Sequence, residues 1–533
     1  MKHPSGLHRL SHSVSSRTWI VLAILLFFVL VDSLNHGTVG QLLAGRHFPP
    51  DMERKLLGTS RNLIVHAVIA AAAGILVLGA LPGLRKPHRA FLLCIGLLGP
   101  LYVFLLTPFS VPDEQFHYQQ SLARAASWTR VERLDKDYLL PGMPGHANSV
   151  QGYLFARRVF RGDTPSGGGF EVSTLRVRGH ALLHLPQTVG LCLGLAAGLP
   201  PAPSFYLGRL SALLFYLVAV AAAIWLTPVL KECLAVAALC PIALQQACSY
   251  SYDSETLACS FLVFGVAMRL ACGTGEPLSR KTLAAAIAAT VLGMAMKCAA
   301  VPFLPLFCAI PASRFRSGVS GKIRFLSILC LVAALAVPLS ASVAPHAVRD
   351  LPLGTMYDGR MAWTFGELFL HPVRFCHILA NTADASWIRL FYESFGYRMS
   401  GLSLTLPSLY PLAFVLLLAA TARLGGNALA RPVGAAAALG VLILTAYLIV
   451  IMLLTWTAMG TVKVEGLQGR YWTPVLPLLA CAVFARAAIP GEDACRASRD
   501  GEGDLRVLAF PCLLLLHVPV VVSIVKQTLA RGA

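Results

Sequence analysis

Long apolar runs recur along almost the whole chain, and they constrain its fold more than any other feature. A helix that crosses a membrane needs about 20 predominantly apolar residues. About thirteen runs approach that length. With boundaries uncertain by several residues, they are 18–32, 63–83, 90–107, 208–228, 233–250, 255–272, 282–296, 298–311, 325–343, 406–422, 434–456, 471–489 and 507–524. We therefore predict an all-α, polytopic integral membrane protein with about 13 transmembrane helices.

The scarcity of charge supports this interpretation. Only 13% of the 533 residues are Asp, Glu, Lys or Arg, whereas soluble proteins carry about 25%. The formal net charge is nevertheless +19, which in a soluble protein would suggest nucleic acid. Here the basic residues are scattered in the loops between apolar runs, so we expect no nucleic-acid partner and assign the excess to membrane topology.

Short loops rich in Lys and Arg stay in the cytoplasm. With the amino terminus inside and the awkward stretch 181–199 not crossing, most basic loop residues fall on the cytoplasmic side. The loops at 85–89, 231, 269–281, 314–324, 423–431 and 486–506 hold them. Two longer polar segments, at about 108–180 and 344–405, then face outward. Within them, 113–127 and 365–380 are predicted as amphipathic helices on the membrane surface.

Two groups of carboxylates lie at predicted outer turns. Asp113 and Glu114 follow Pro112, and His117 lies one helical turn beyond Asp113. Asp253 and Glu255 interrupt a long apolar stretch with no Lys or Arg beside them. Each group also has the residue types of an ordinary helix start, so helix capping remains an alternative. Ionisable residues near a membrane are expensive, however, and favour a functional role.

Two basic positions face the same side in this topology. Lys297 lies at the turn between two short apolar segments, and Arg470 with Tyr471 lies at the outer mouth of another. A snorkelling lysine and an interfacial anchor are the simple explanations. Alternatively, both cations bind a phosphate.

Together these residues suit a phosphorylated substrate that carries a sugar. We expect Asp113, Glu114 and Asp253 to be catalytic. Lys297, Arg470, Tyr471, His117 and Glu255 are the expected substrate-binding residues. Carboxylate oxygens are the ligands that Mg²⁺ and Mn²⁺ prefer, so Asp113 and Asp253 are the candidate metal ligands. One carboxylate would serve as general base on an acceptor hydroxyl.

A series of short blocks also resembles a known bacterial family. The blocks include PDEQFH, HLPQTVGLCLG, CPIALQQACSYSYDSETLA, MKCAAVPFLPLF, HPVRFCHILANT and GRYWTPVLPLL. They resemble the predicted membrane proteins of domain-of-unknown-function family 2142, from about residue 90 to the end. Residues 1–89, with two apolar runs, look like an addition to a membrane domain at 90–533.

That family is in turn similar to the GT-C glycosyltransferases, which use polyprenyl-phosphate sugars on the outer face of the membrane. The resemblance implies a multi-pass protein of the bacterial inner membrane that transfers a sugar to a cell-envelope glycan, lipid or protein. It matches Asp113 and Glu114 to an acidic motif of the first outer loop and Asp253 to the second acidic position. It matches Lys297 and Arg470 to phosphate contacts. The sequence lacks a WWD-type motif, so the acceptor stays open. A transporter or flippase of lipid-linked saccharides and a non-catalytic envelope-assembly protein are the alternatives.

Overall fold

The computed structural model describes residues 86–106, 108–135, 138, 169–175, 181–273, 277–341, 359–399, 404–425, 429–485 and 502–530. Most of them are helical. The α-helices are α1 Pro87–Leu105, α2 Glu114–Trp128, α3 Leu185–Ala196, α4 Pro201–Leu226, α5 Lys231–Ala238, α6 Pro241–Ala247, α7 Asp253–Cys272, α8 Arg280–Ala295, α9 Leu304–Cys308, α10 Gly318–Ala341, α11 Phe365–Leu370, α12 Pro372–Glu393, α13 Leu409–Gly425, α14 Arg431–Thr455, α15 Leu476–Phe484 and α16 Glu502–Ala530.

Extended structure in the described residues is limited to two short antiparallel strand pairs and one isolated bridge between Ala362 and Ala458. Strand β1 (Arg133–Asp135) pairs with β2 (Gly169–Glu171), and β3 (Arg398–Met399) pairs with β4 (Leu404–Thr405). Short 3₁₀ helices connect several α-helices, and they are Val172–Thr174, Ala181–His184, Val301–Phe303, Ala312–Arg314 and Gly469–Val475. The predicted all-α class is therefore correct in its main feature.

Five of the described helices are long and apolar enough to cross a membrane. They are α1, α4, α7, α14 and the segment Gly318–Ala336 of α10. Three shorter apolar helices, within α3, α13 and α16, accompany them. The two predicted runs at 18–32 and 63–83, and about half of the 108–180 segment, lie outside the described residues. The total of 13 therefore stays a prediction.

Several predicted spans are broken by proline. The run 233–250 forms two short helices, α5 and α6, because Pro241 cannot donate the hydrogen bond that would continue α5. In the run 471–489, a 3₁₀ helix containing Pro474 precedes the short helix α15. The stretch 181–199 forms the 3₁₀ helix Ala181–His184 followed directly by α3, and the apolar helix Leu182–Ala196 that they make is shorter than the roughly 20 residues that usually cross a bilayer.

Small residues allow the central helices to pack closely. Helix α3 lies against α4 where Gly190 meets Gly208, and α7 lies against α4 where Gly265 meets the backbone of Ala223. A side chain at Gly190 or Gly265 would collide with the backbone of α4. Helix packing inside a membrane favours such positions, because lipid supplies no hydrophobic drive between helices.

Helix α2 occupies the predicted place but not the predicted environment. A helix was expected at 113–127 on the membrane surface, whereas α2 is largely enclosed, with Tyr118, Leu122 and Ala125 buried in the main core. The segment expected at 365–380 instead forms α11 and α12, which break at His371–Pro372. Its apolar side chains are exposed, including Phe369 at 81% and Val373 at 82%. These exposures suit contact with lipid.

The helix ends bring four distant segments to one end of the molecule. Asp113 follows the carboxyl end of α1, and Asp253 begins α7. Lys297 follows the carboxyl end of α8, and Arg470 follows α14. At the opposite end, Arg314 contacts Gly273, just after α7. The chemistry predicted from the sequence is therefore gathered at one end of the helices.

Candidate functional site

Four charged side chains from four segments form one ion network. The Lys297 ammonium lies 3.1 Å from Asp253 Oδ1. Arg470 Nη1 lies 3.8 Å from Asp253 Oδ2, and Arg470 Nη2 lies 3.6 Å from Asp113 Oδ2. We call these four residues the ion network. The structure thus brings together Asp113, Asp253, Lys297 and Arg470, which are widely separated in sequence.

The backbone at this network is unusual. Asp113, Lys297 and Cys298 have positive φ angles of 62°, 52° and 55°. Residues other than glycine rarely adopt this left-handed conformation, which costs about 1 kcal/mol or more per residue. Strain of this kind is retained where the surrounding structure requires it, and it concentrates at functional sites. Two members of the ion network are held in this way.

The two carboxylates differ in exposure. Asp253 is 16% exposed and lies at the first position of α7, where its backbone N–H donates to Ser251 Oγ. The helix dipole and both cations stabilise its negative charge. The Asp113 carboxylate is 66% exposed, and among the described residues its ion-pair partner is Arg470. Asp113 is therefore the carboxylate that an incoming molecule can reach.

Lys297 is held over an aromatic ring. Its Nζ lies 3.4 Å from the centroid of Tyr252, in a cation–π contact. Burial alone lowers the pKa of this ammonium, but the Asp253 carboxylate and Tyr252 outweigh that effect and raise the pKa above its usual range. Lys297 therefore carries its positive charge at any physiological pH.

Arg470 is enclosed, yet its hydrogen-bonding capacity is largely unused. Its side chain is 8% exposed, and Nε and Nη1 have no hydrogen-bond partner among the described residues. Its distances to Asp113 and Asp253, 3.6 and 3.8 Å, are ion-pair distances and too long for hydrogen bonds. The guanidinium also lies 5.2 Å from the ring centroid of Tyr471. A buried guanidinium with free donors is well suited to an anion.

The backbone beneath Arg470 is fixed by α12. Glu393 Oε2 accepts a hydrogen bond from the N–H of Gly469 at 3.0 Å, and Ser394 Oγ donates to the carbonyl of Gly469 at 2.9 Å. Thr473 Oγ1 donates to the carbonyl of Ser394. Glu393 is itself 2% exposed and bound to Arg389 at 2.7 Å. These contacts hold the 3₁₀ helix that carries Arg470.

An apolar cleft lies beside this 3₁₀ helix. Its volume is about 460 Å³. The walls include Leu379, Ala383, Trp387 and Phe391 of α12, Val441 and Ile449 of α14, and Trp472, Leu476 and Leu479. Trp472 is fixed by a hydrogen bond of 3.0 Å from its indole nitrogen to Thr445 Oγ1. Trp472 follows Arg470 by two residues in the same 3₁₀ helix, so one short segment carries both Arg470 and a wall of the cleft.

Glu114 does not join the ion network. Its carboxylate forms a two-pronged pair with Arg209, whose Nε and Nη2 donate to Oε1 and Oε2 at 2.8 and 2.7 Å. Both side chains are 0% exposed. Arg209 also donates to the carbonyls of Val103 and Leu106. These contacts favour a structural role for Glu114 over the predicted catalytic one, since its acceptors are occupied in tying α1, α2 and α4 together.

Glu255 is also withdrawn from the site. The residue is 1% exposed, and its carboxylate oxygens have no hydrogen-bond partner in the described part of the chain. Among the described ion pairs, none joins Glu255 to the ion network. The expected substrate-binding role of Glu255 is therefore not supported by its position.

Tyr471, by contrast, lies directly under Arg470 and packs on a small apolar cluster around Trp363 and Leu390.

The carboxylates are poorly suited to a metal ion. Among the described residues, no three His, Cys, Asp or Glu side chains are grouped as metal ligands. Asp113 and Asp253 face two cations, so the network is already neutralised without a divalent ion. Mg²⁺ and Mn²⁺ require several oxygen donors and a site of net negative charge. The expected metal site at Asp113 and Asp253 does not fit this donor set.

Several residues near the site were missed at the level of sequence. Arg209 is a lone charge inside a predicted span, and such residues are usually functional or paired. His184 lies in the apolar stretch 181–199, and Glu393 lies within an aromatic run. His117, in contrast, is one of the predicted substrate-binding residues. Its side chain is 3% exposed and lies beside Tyr252, with a ring-centroid distance of 4.2 Å.

The chain matches one known family. The family model, described as "Predicted membrane protein (DUF2142)", covers residues 179–479. This is more than half of the chain, and it includes Asp253, Lys297 and Arg470 but begins after Asp113. The matched region is shorter than the resemblance expected from about residue 90. No curated protein and no solved structure matches significantly.

Proposed function

The chain belongs to the DUF2142 family of predicted membrane proteins, and from the chemistry of its site we propose that it is a glycosyltransferase. In this proposal the protein moves a sugar from a polyprenyl-phosphate carrier to a hydroxyl group of a cell-envelope glycan, lipid or protein. The reaction takes place at the outer face of the bacterial inner membrane, with the amino terminus in the cytoplasm. The site is of the GT-C type in its use of outer-face acidic and basic residues.

One observation carries the proposal: the enclosed guanidinium of Arg470 has donors without hydrogen-bond partners among the described residues, and the 3₁₀ helix that carries it also forms a wall of an apolar cleft. An anionic headgroup attached to a hydrocarbon chain would satisfy both features. The phosphate would accept from Arg470 and Lys297, which are charged and held in place. The chain would occupy the cleft of about 460 Å³, where its burial is favourable by about 25 cal/mol per Å² of apolar surface.

The exposed carboxylate supplies the acid–base chemistry. Asp113 takes the proton from the acceptor hydroxyl while the acceptor oxygen forms a bond to the anomeric carbon. The bond between that carbon and the phosphate oxygen breaks, and its electron pair leaves with the lipid phosphate. Lys297 and Arg470 stabilise the negative charge that develops there. Asp253 fixes both cations and needs no contact with the acceptor.

The proposal is tested with purified protein in detergent and a panel of polyprenyl-phosphate sugars. The assay measures release of the carrier phosphate by mass spectrometry, with envelope lipids or glycans as acceptors. We expect release by the wild type and a loss of about 100-fold or more for Arg470→Gln, because removing one donor to a developing anion costs that much. Lys463→Gln, an exposed lysine nearby, is the matched control and should be unaffected.

A transporter would behave differently. It needs a sealed vesicle and leaves the sugar–phosphate bond intact, whereas a transferase releases the carrier phosphate in detergent. If the wild type releases no carrier phosphate from any donor, while the same donor crosses proteoliposomes, the proposal is wrong and transport replaces it.

A further inference from the structure

A buried chain of three polar side chains leads towards the ion network from the side of α2. Arg124 Nη1 lies 3.1 Å from His184 Nδ1, and His184 Nε2 lies 2.9 Å from His117 Nδ1. The three side chains are at most 5% exposed. We call Arg124, His184 and His117 the histidine relay. It joins α2 to the 3₁₀ helix Ala181–His184.

The chemistry of arginine gives this relay a direction. A guanidinium carries only donors, so His184 Nδ1 must be the acceptor. The His184 proton then lies on Nε2, and this nitrogen donates to His117 Nδ1. Because its Nδ1 accepts, His117 is neutral and its own proton lies on Nε2.

The surroundings of His117 agree with a neutral ring. Burial is the main effect that lowers the pKa of His117 well below its ordinary value, and the positive charges of Lys297 and Arg470 lower it further. Within the histidine relay, only His184 separates His117 from the positive charge of Arg124. Tyr252 and Phe116 are the rings beside His117. No carboxylate is paired with the imidazole in the described part of the chain.

The other edge of His117 is directed away from the relay. Its Nε2 has no hydrogen-bond partner among the described residues, while the ring packs edge to face on Tyr252. Tyr252 in turn carries the Lys297 ammonium on its face, 3.4 Å from the ring centroid. Tyr252 therefore contacts both His117, which has the free Nε2–H donor, and Lys297, which is a cation of the ion network.

We infer that the histidine relay fixes His117 as a neutral Nε2–H donor that binds an oxygen of the ligand held by Lys297 and Arg470. The oxygen belongs to the phosphate. His117 is then a binding residue and not a general base, and Arg124 and His184 are positioning residues. The identity of the ligand rests on the proposed function, whereas the protonation state of His117 does not.

The protonation state is tested first, by NMR of protein labelled with ¹⁵N at its histidine rings. The His117 signals are assigned by comparison with the His117→Gln variant. We expect a pyrrole-type Nε2 and a pyridine-type Nδ1, unchanged between about pH 5.5 and 8, where a free histidine would titrate. A His117 that carries its proton on Nδ1, or that becomes doubly protonated in this range, overturns the inference.

The direction of the relay is tested with a matched pair at Arg124. Arg124→Lys retains a cationic donor to His184 Nδ1, so the His117 tautomer should be kept. Arg124→Met retains a similar length of apolar stem but has no donor, so both tautomers of His117 should appear. If Arg124→Met leaves the wild-type tautomer in place, the relay does not determine it.

The role in binding is tested with farnesyl phosphate as the probe, by calorimetry in detergent. His117→Gln preserves an N–H donor at a similar position, and we expect its dissociation constant to stay within about threefold of the wild type. His117→Phe preserves a ring without a donor and should weaken binding about tenfold. Equal binding by the Phe variant, or no binding of the probe by the wild type, overturns the ligand contact. If the probe binds as expected but no sugar transfer is found, only the proposed function fails.

Discussion

Arg470 Nη2 lies 3.6 Å from Asp113 Oδ2, and the two side chains differ sharply in exposure. The arginine is 8% exposed, whereas the aspartate is 66% exposed. The buried cation is held by the backbone contacts beneath it, and the exposed carboxylate extends towards solvent. In this pair, Arg470 is therefore the fixed residue and Asp113 is the accessible one. An anion is expected on the fixed side and an acceptor hydroxyl on the accessible side.

Replacement of Asp113 should affect catalysis and spare the fold. We expect Asp113→Asn to lower kcat by about 100-fold to 10,000-fold, the usual contribution of a general base. Its thermal midpoint should stay close to that of the wild type because the side chain is exposed. Initial rates of carrier-phosphate release provide the measurement. Asp384→Asn, an exposed aspartate on α12, is the control. A fully active Asp113→Asn would remove Asp113 from the mechanism.

The Glu114–Arg209 pair should affect stability. Both partners are 0% exposed, and removing one charge leaves the other buried without compensation, at a cost of about 3–5 kcal/mol. We therefore expect Glu114→Gln and Arg209→Met each to lower the thermal midpoint in detergent. The double variant should lose less than the sum of the single losses. A Glu114→Gln protein with wild-type stability and no activity would instead support the catalytic role first predicted for Glu114.

The apolar cleft should select for the hydrocarbon chain of the donor. Ala383 lines the cleft, so Ala383→Trp would fill part of it. We expect the variant to weaken binding of a long-chain polyprenyl phosphate about tenfold or more and to leave binding of inorganic phosphate unchanged. Ala385→Trp, an exposed position on the same helix, is the matched control. Equal losses in the two variants would show that the cleft has no special part in binding.

Acid should destabilise the protein partly through His117. Burial, with Lys297 and Arg470, lowers the pKa of the folded histidine below its ordinary value of 6.5. The unfolded chain therefore binds a proton that the folded chain does not, and the stability supplied by the neutral ring is lost as pH falls below about 6.5. We expect a smaller decrease of the thermal midpoint between pH 7.5 and 5.5 in His117→Gln than in the wild type. An identical decrease in both proteins would contradict this expectation.

Chelation should leave activity unchanged. Asp113 and Asp253 face Arg470 and Lys297, so positive charge is already present where a divalent ion would act. We expect the same rate of carrier-phosphate release with excess EDTA as with added Mg²⁺ or Mn²⁺. A rate that falls on chelation and recovers with Mg²⁺ would restore the metal site first expected at these carboxylates.

Parts of the site could be predicted from sequence because charge is scarce in this chain. Asp253, Lys297 and Arg470 are isolated in apolar surroundings, and their placement at one side followed from the alternation of predicted spans and basic loops. The same scarcity made Glu114 look equivalent to Asp113, since both follow Pro112. The structure separates them because Asp113 adopts a left-handed backbone conformation and Glu114 begins the helix, so the two side chains leave the chain in different directions.

By itself, the sequence determined that the protein is a helical membrane protein, and it predicted that its isolated acidic and basic residues gather on one side. Hydrophobicity and the sign of loop charges are local properties, and they can be read without knowing which helices touch. Only the tertiary structure decided which charges meet. Arg209 pairs with Glu114, Arg470 and Lys297 both pair with Asp253, and His184 contacts His117. Helix packing sets the distances between these side chains. Each ion pair or hydrogen bond forms only when its two groups come within a few ångströms of each other.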